Sequence, residues 1–254
     1  MVVTYQPDLV WLAFFVGIIG SLTALALTSG SHDADNDSWE SSFTLANGGL
    51  IMGTTIWSLH FIAMMAVGFP VLINYNIIET ILSICFAIFG TATGLYIVSK
   101  NKLGRFSIVG GGVAMGLAIG SMHYTGMSAI RGCGLSYDPT LVGASVALAV
   151  GASIAALWFA FYKRTIWMTL AGGVVQGLAI GSMHFTAMAA TYFEPLTAPA
   201  NLATPLFSQG SLAYMIATAM VVICAGNLAL LGFMTAQQRR LQLDEEYDLG
   251  PGRT

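Results

Sequence analysis

Charge is what this chain has least of. Lys and Arg number 9 and Asp and Glu 12, together 8% of 254 residues, against about 25% in soluble domains. So few charges cannot cover a water-facing surface, which excludes an ordinary soluble domain. No basic patch breaks the net charge of −3, so nucleic acid is excluded as a partner. The opening MVVTYQPDLV carries no Lys or Arg, so it lacks the n-region of a cleaved signal peptide, and the first apolar run is read as a retained helix. Cysteine is sparse too. Cys85, Cys133 and Cys224 form no CxxC or CxxCH, which excludes covalent c-type haem and gives no disulfide framework. No P-loop, dinucleotide fingerprint or nucleophile elbow occurs, which leaves an enzyme as the weakest reading. Ten-residue segments of alternating polarity are missing as well, which excludes a spanning β-barrel.

What remains is apolar: 56% hydrophobic residues and 29 glycines. Runs of about 20 apolar residues predict transmembrane helices. Seven are expected, at roughly 8–29, 45–68, 75–99, 107–129, 139–162, 168–190 and 209–235. The fold class is therefore an all-α membrane protein in a lipid bilayer. Residues 1–235 are expected to form the transmembrane domain and 236–254 a short inner tail. Lys100, Lys102, Arg105, Lys163, Arg164, Arg239, Arg240 and Arg253 fall on one side of such a topology, and only Arg131 on the other. The positive-inside rule then places the N-terminus outside and the C-terminus inside. The acidic first inner loop, SHDADNDSWESS, carries little weight in that rule.

The chain also repeats itself. SMHYTGMSA at 121–129 returns as SMHFTAMAA at 182–190 and, more loosely, as SLHFIAMMA at 58–66. The likeness extends upstream: GGGVAMGLAIGSMHYTGMSA (110–129) matches AGGVVQGLAIGSMHFTAMAA (171–190), with NGGLIMGTTIWSLHFIAMMA (47–66) a weaker copy. Such spacing implies three parallel two-helix repeats plus a seventh helix. His60, His123 and His184 then lie at one depth, about a third of the way in from the outer face.

Met64, Met127 and Met188 follow their histidines by four residues and so share a face with them. Met122 and Met183 immediately precede theirs and point about 100° away. Gly112, Gly116 and Gly120 form a small-xxx-small ridge for close helix packing, as do Gly173, Gly177 and Gly181. Gly49 and Gly53 repeat the ridge until Trp57 interrupts it. Each ridge leads into its His and Met, so the three faces are expected to converge in the interior.

A single intramembrane histidine reads equally well as a packing hydrogen bond. Three at matched depth, each with Met at i+4, point to a ligand or proton role. Imidazole with thioether is a soft set that suits Cu(I), and less well Cu(II) or Zn(II). No carboxylate lies near the histidine layer, which argues against Mg, Ca or Mn. Haem with axial His or Met is the alternative cofactor. Tyr124 could offer a hydroxyl to the site. Asn227 and Gln176 are read as interhelical hydrogen-bond partners, Cys133 as a lone thiol in the outer loop, and Glu194 as a solvated loop carboxylate.

Met122-His123-Tyr124-Thr125 spells the signature of the MHYT domain, and the chain resembles that family over nearly its whole length. The resemblance implies a bacterial inner-membrane sensor. It implies copper bound through Met122, His123, Met183 and His184 near the outer face, with Tyr124 as a helper, and sensing of oxygen, carbon monoxide or nitric oxide. It also implies signalling to cytoplasmic GGDEF and EAL modules, through a separate partner or as part of a larger protein. In the copy around His60, Leu59 replaces the first Met and Phe61 the Tyr, and Phe185 replaces the Tyr around His184. Two other functions compete: a transporter or channel for a soft cation, and a structural bundle in which the histidines only pack helices.

Overall fold

The computed structural model describes residues 2–29, 39–100, 105–161, 165–195 and 209–249. Lys102, Lys163, Arg164 and Arg253, counted in the charge bias, lie outside them, as does most of the acidic first inner loop. The seven helices are α1 (Pro7–Ser29), α2 (Trp39–Met65), α3 (Ile77–Lys100), α4 (Arg105–Ser128), α5 (Pro139–Phe161), α6 (Ile166–Ala189) and α7 (Gln209–Leu249). All seven are long and apolar enough to cross a membrane. An odd number of spans puts the termini on opposite faces, and the basic residues fix the N-terminus outside. Pro7 and Pro139 open their helices at the position where a missing N–H costs nothing. Asn76 and Asp138 cap theirs: Asn76 Oδ1 accepts from Ile78 N at 2.9 Å, and Asp138 Oδ1 from Thr140 N at 2.8 Å.

Helices α1 to α6 close a ring, each packed on the next and α6 back on α1. Helix α7 lies outside the ring against α1 and α2. There Asn47 donates to Asn227 Oδ1 at 2.7 Å, the interhelical bond expected of Asn227.

Short strands, which hydropathy does not announce, tie the outer ends together. They are β1 (Thr4–Tyr5), β2 (Val67–Gly68), β3 (Asn74–Tyr75), β4 (Ile130–Arg131), β5 (Cys133–Tyr137) and β6 (Thr191–Pro195). They pair antiparallel as β1–β2, β3–β4 and β5–β6. Each strand before an odd helix thus pairs with the strand after the following even helix. The repeat is a closed β-α-α-β unit, made three times. The same bond recurs beside each pair: Gln6 N to Ala66 O, Asn76 N to Ala129 O and Asp138 N to Ala190 O, each at 2.8 Å. Arg131, the lone basic residue of the outer side, clasps Glu79 of α3 through two bonds of 2.7 Å.

The glycine ridges join one repeat to the next. Gly112, Gly116 and Gly120 face Ile154, Val150 and Val146 of α5. Gly173, Gly177 and Gly181 face Leu22, Ile18 and Phe14 of α1, and Gly49 and Gly53 face Ala92 and Ile88 of α3. The ridges therefore seat the neighbouring odd helix and do not meet one another. A Cβ on Gly116 would lie 2.5 Å from the Val150 Cα, and one on Gly53 2.6 Å from that of Ile88. Where Trp57 ends the series, its indole donates to Ser83 Oγ of α3 at 3.0 Å, so the wider gap is filled and satisfied.

Candidate metal centre

Each histidine stands five residues before the outer end of its helix: His60 in α2, His123 in α4, His184 in α6. The rings are thus about 7–8 Å below those ends, all at one level. Because the odd helices alternate with the even ones, the ring turns the three motif faces inward. The imidazole centroids are 4.8 Å apart for His60–His123, 5.1 Å for His60–His184 and 5.2 Å for His123–His184. Their mutual tilts of 71°, 71° and 72° make a near-regular three-bladed propeller. All three residues are at most 1% exposed.

His60 Nδ1 and His184 Nδ1 share a hydrogen bond of 3.1 Å. Four ring nitrogens have no partner among the described residues: His60 Nε2, His184 Nε2 and both nitrogens of His123. Buried polar atoms are nearly always paired, and a cluster of orphans calls for an explanation. One ligand nitrogen from each ring lies within 4.8 Å of the others, so the three could converge on one ion.

The aromatic after each histidine braces its ring edge-on: Phe61 at 5.1 Å, Tyr124 at 5.0 Å and Phe185 at 5.0 Å. Tyr124 spends its hydroxyl on Ser145 Oγ of α5, 2.7 Å away. Gly126 lies outside the glycine ridges. A Cβ there would fall 2.5 Å from His60 Nε2, so the small residue lets the α2 ring reach the centre. Its counterparts are Ala63 and Ala187, so a small residue three positions past each histidine was visible in the repeat.

Counting in fours from the histidines gives stacked layers of three. On the outer side Met64, Met127 and Met188 form a buried cluster with Ile73, Cys133 and Phe193. Cys133 is a free thiol, as expected, and is buried at the start of β5; burial pushes its titration upward. Met122 and Met183 are also buried, but they pack within the main core with Leu59. On the inner side follow Ile56, Ile119 and Ile180, all buried. Glu194 accepts from Ser136 Oγ across the β5–β6 pair at 2.6 Å, remote from the triad in role. Gln176, expected to bond between helices, has no partner among the described residues.

The sequence matches the MHYT family, described as "Bacterial signalling protein N terminal repeat", at residues 53–111 and 116–173. It is 34% identical to the bifunctional diguanylate cyclase/cyclic di-GMP phosphodiesterase MucR of Pseudomonas aeruginosa, over 95% of this chain and 35% of that protein. Identity is 32% to the cyclic di-GMP phosphodiesterase NbdA of the same organism, over 95% of this chain and 31% of NbdA. To the signaling protein YkoW of Bacillus subtilis it is 33%, over 78% of this chain and 25% of YkoW. The chain thus spans about a third or less of these relatives. No solved structure matches it.

Proposed function

The chain belongs to the MHYT family of bacterial signalling proteins, and from that membership we propose that this inner-membrane sensor reads its signal at a metal ion held by His60, His123 and His184. The observation that carries the reading is the set of four partnerless ring nitrogens, buried where three repeats meet. Imidazole nitrogens bind zinc at about 2.0–2.1 Å, which requires them to sit roughly 3.3–3.6 Å apart. The candidate atoms lie within 4.8 Å, so small ring rotations would close the site without moving a helix. The rings are too near one another to admit a porphyrin between them, which favours a bare ion over haem.

Copper is the metal we assign. Imidazole suits it, and the neighbouring thioethers favour its reduced form. Among the methionines, Met64, Met127 and Met188 are the better supported helpers, because all three repeats supply one and they are buried together on the outer side. Met122 and Met183 have no counterpart at Leu59. Bound copper would supply a one-electron couple and a coordination position for a diatomic gas. The chain's own residues orient the rings through Phe61, Tyr124 and Phe185 and exclude water with the methionine layer. The isoleucine layer directly inside the histidines favours a resident ion over a permeating one.

Two of the relatives are named for cyclic di-GMP turnover, so the output we assign is a module of that kind on the inner side, in the same chain or in a partner. Helix α7 runs unbroken from Gln209 to Leu249, long enough at 1.5 Å per residue to carry a displacement out of the bilayer. The test is metal content after anaerobic purification with copper, together with a CO-difference spectrum. Wild type should retain copper and a variant with all three histidines changed to Asn should not. Equal retention by both would refute the centre.

A further inference from the structure

Eight residues inside each histidine, about 12 Å down its helix, stand Met52, Met115 and Gln176. The third repeat thus places a carboxamide where the other two place thioethers. Gln176 is 3% exposed, and among the described residues neither its Oε1 nor its Nε2 has a partner. Ser153 of α5 is 1% exposed with an equally unpartnered Oγ. Both side chains line one cavity, opened by the small Ala152 and Ala156 and roofed on the histidine side by Ile56, Ile119 and Ile180.

The cavity offers about 20 Å³ of room for a water centre, above the about 10–15 Å³ that one water needs. A soft metal fits poorly: of the two methionines on the lining, Met52 and Met115, Met115 packs its Sδ toward α3, 3.2 Å from where a Cβ on Gly94 would be, which leaves a single thioether. A hard cation collects six or more oxygen ligands, and the polar lining offers two neutral groups. An apolar guest would leave amide and hydroxyl unsatisfied. Water has the donors and acceptors to serve both.

We propose that Gln176 and Ser153 form a buried water site between α5 and α6, sealed from the histidine centre by the isoleucine layer. The bridge joins the two helices of the third repeat through a replaceable hydrogen-bonded molecule, at the level where α2 and α4 present methionine. It gives α6 a polar contact with α5 on the inner side of the triad.

A high-resolution structure of the full chain in lipid nanodiscs tests this directly. Density within hydrogen-bond distance of both Gln176 and Ser153 Oγ is expected, and it should vanish in Gln176→Met, which restores the residue of the other two repeats. Direct bonding of Gln176 and Ser153 to protein groups, with no density between them, would overturn the site, as would an ion at coordination distances. The thermal stabilities of Gln176→Met, Ser153→Ala and the double variant give an independent reading. With a shared water, the second substitution should add no further change in Tm once the first is made. Independent, additive shifts would refute the bridge.

Discussion

His60 Nδ1 lies 3.1 Å from His184 Nδ1, across 124 residues of sequence. One proton must sit between two identical atoms, so the two neutral imidazoles adopt opposite tautomers. The donor ring leaves Nε2 as an acceptor, while the accepting ring carries its proton on Nε2. A backbone built three times over therefore presents a centre that is chemically uneven, with His123 bonded to neither partner.

If one ion is shared, each histidine should matter comparably. Changing His60, His123 or His184 singly to Ala is expected to weaken retained metal by more than the roughly 10–100-fold typical of losing a second-shell contact. Competition against a chelator, followed by elemental analysis, measures it. Wild-type retention in any one of the three would remove that residue from the ligand set.

Gly126→Ala should disturb the centre without touching a ligand. Its Cβ would fall 2.5 Å from His60 Nε2, so the ring must turn or α4 must retreat. Metal retention is expected to drop while the helical circular dichroism stays intact. Ala187→Gly, at the equivalent position of α6, should leave retention near wild type. A Gly126→Ala protein that binds like the parent would show that the His60 ring is free to move.

The glycine seams can be weighed against glycines that face open space. Gly116→Ala and Gly177→Ala would set a Cβ 2.5 Å and 2.9 Å from a backbone Cα of the neighbouring helix. Overpacking of this kind costs about 1–3 kcal/mol. A Cβ on Gly110 or Gly151 would meet nothing within 4 Å among the described residues, and Ala there should stabilise, by up to about 1 kcal/mol in helix propensity. Thermal melts in detergent would separate the two groups, and indistinguishable melts would contradict the seams.

Helix α7 is held to the ring partly by the Asn47–Asn227 bond of 2.7 Å. A double-mutant cycle with Asn47→Leu and Asn227→Leu is expected to give a coupling of about 0.6 kcal/mol, within the range for such bonds in membranes. No coupling would mean that α7 docks by packing alone.

The motif helices were legible because lipid permits so few solutions. With backbone groups barred from water, an apolar run the length of α4 or α6 has to be a helix. The repeat of Gly116, His123 and Met127 as Gly177, His184 and Met188 then assigns equivalent faces. Less legible was the outer collar. Strands as short as Thr4–Tyr5 and Val67–Gly68 exist because distant partners satisfy them, and two residues carry no periodicity of their own. Reading Gly116 and His123 as one inward stripe was too narrow. An inward face is broad, and the structure divides it, with glycine against α5 and imidazole toward the axis. Sequence predicts a bonded Gln176 because polar groups in membranes usually are; its amide, orphaned among the described residues, depends on the cavity beside Ser153.

Composition and periodicity alone determined a seven-helix membrane protein with three histidines at equal depth, because helix length and face follow from local rules. Only the tertiary structure decided that α1 to α6 close into a ring, that three imidazoles meet within 5.2 Å, and that Cys133 of β5 is buried with the outer methionine layer. The three imidazoles come from segments about 60 to 120 residues apart. Such contacts arise where several locally determined surfaces are forced together, and no single segment encodes the distance between its side chains and those of another.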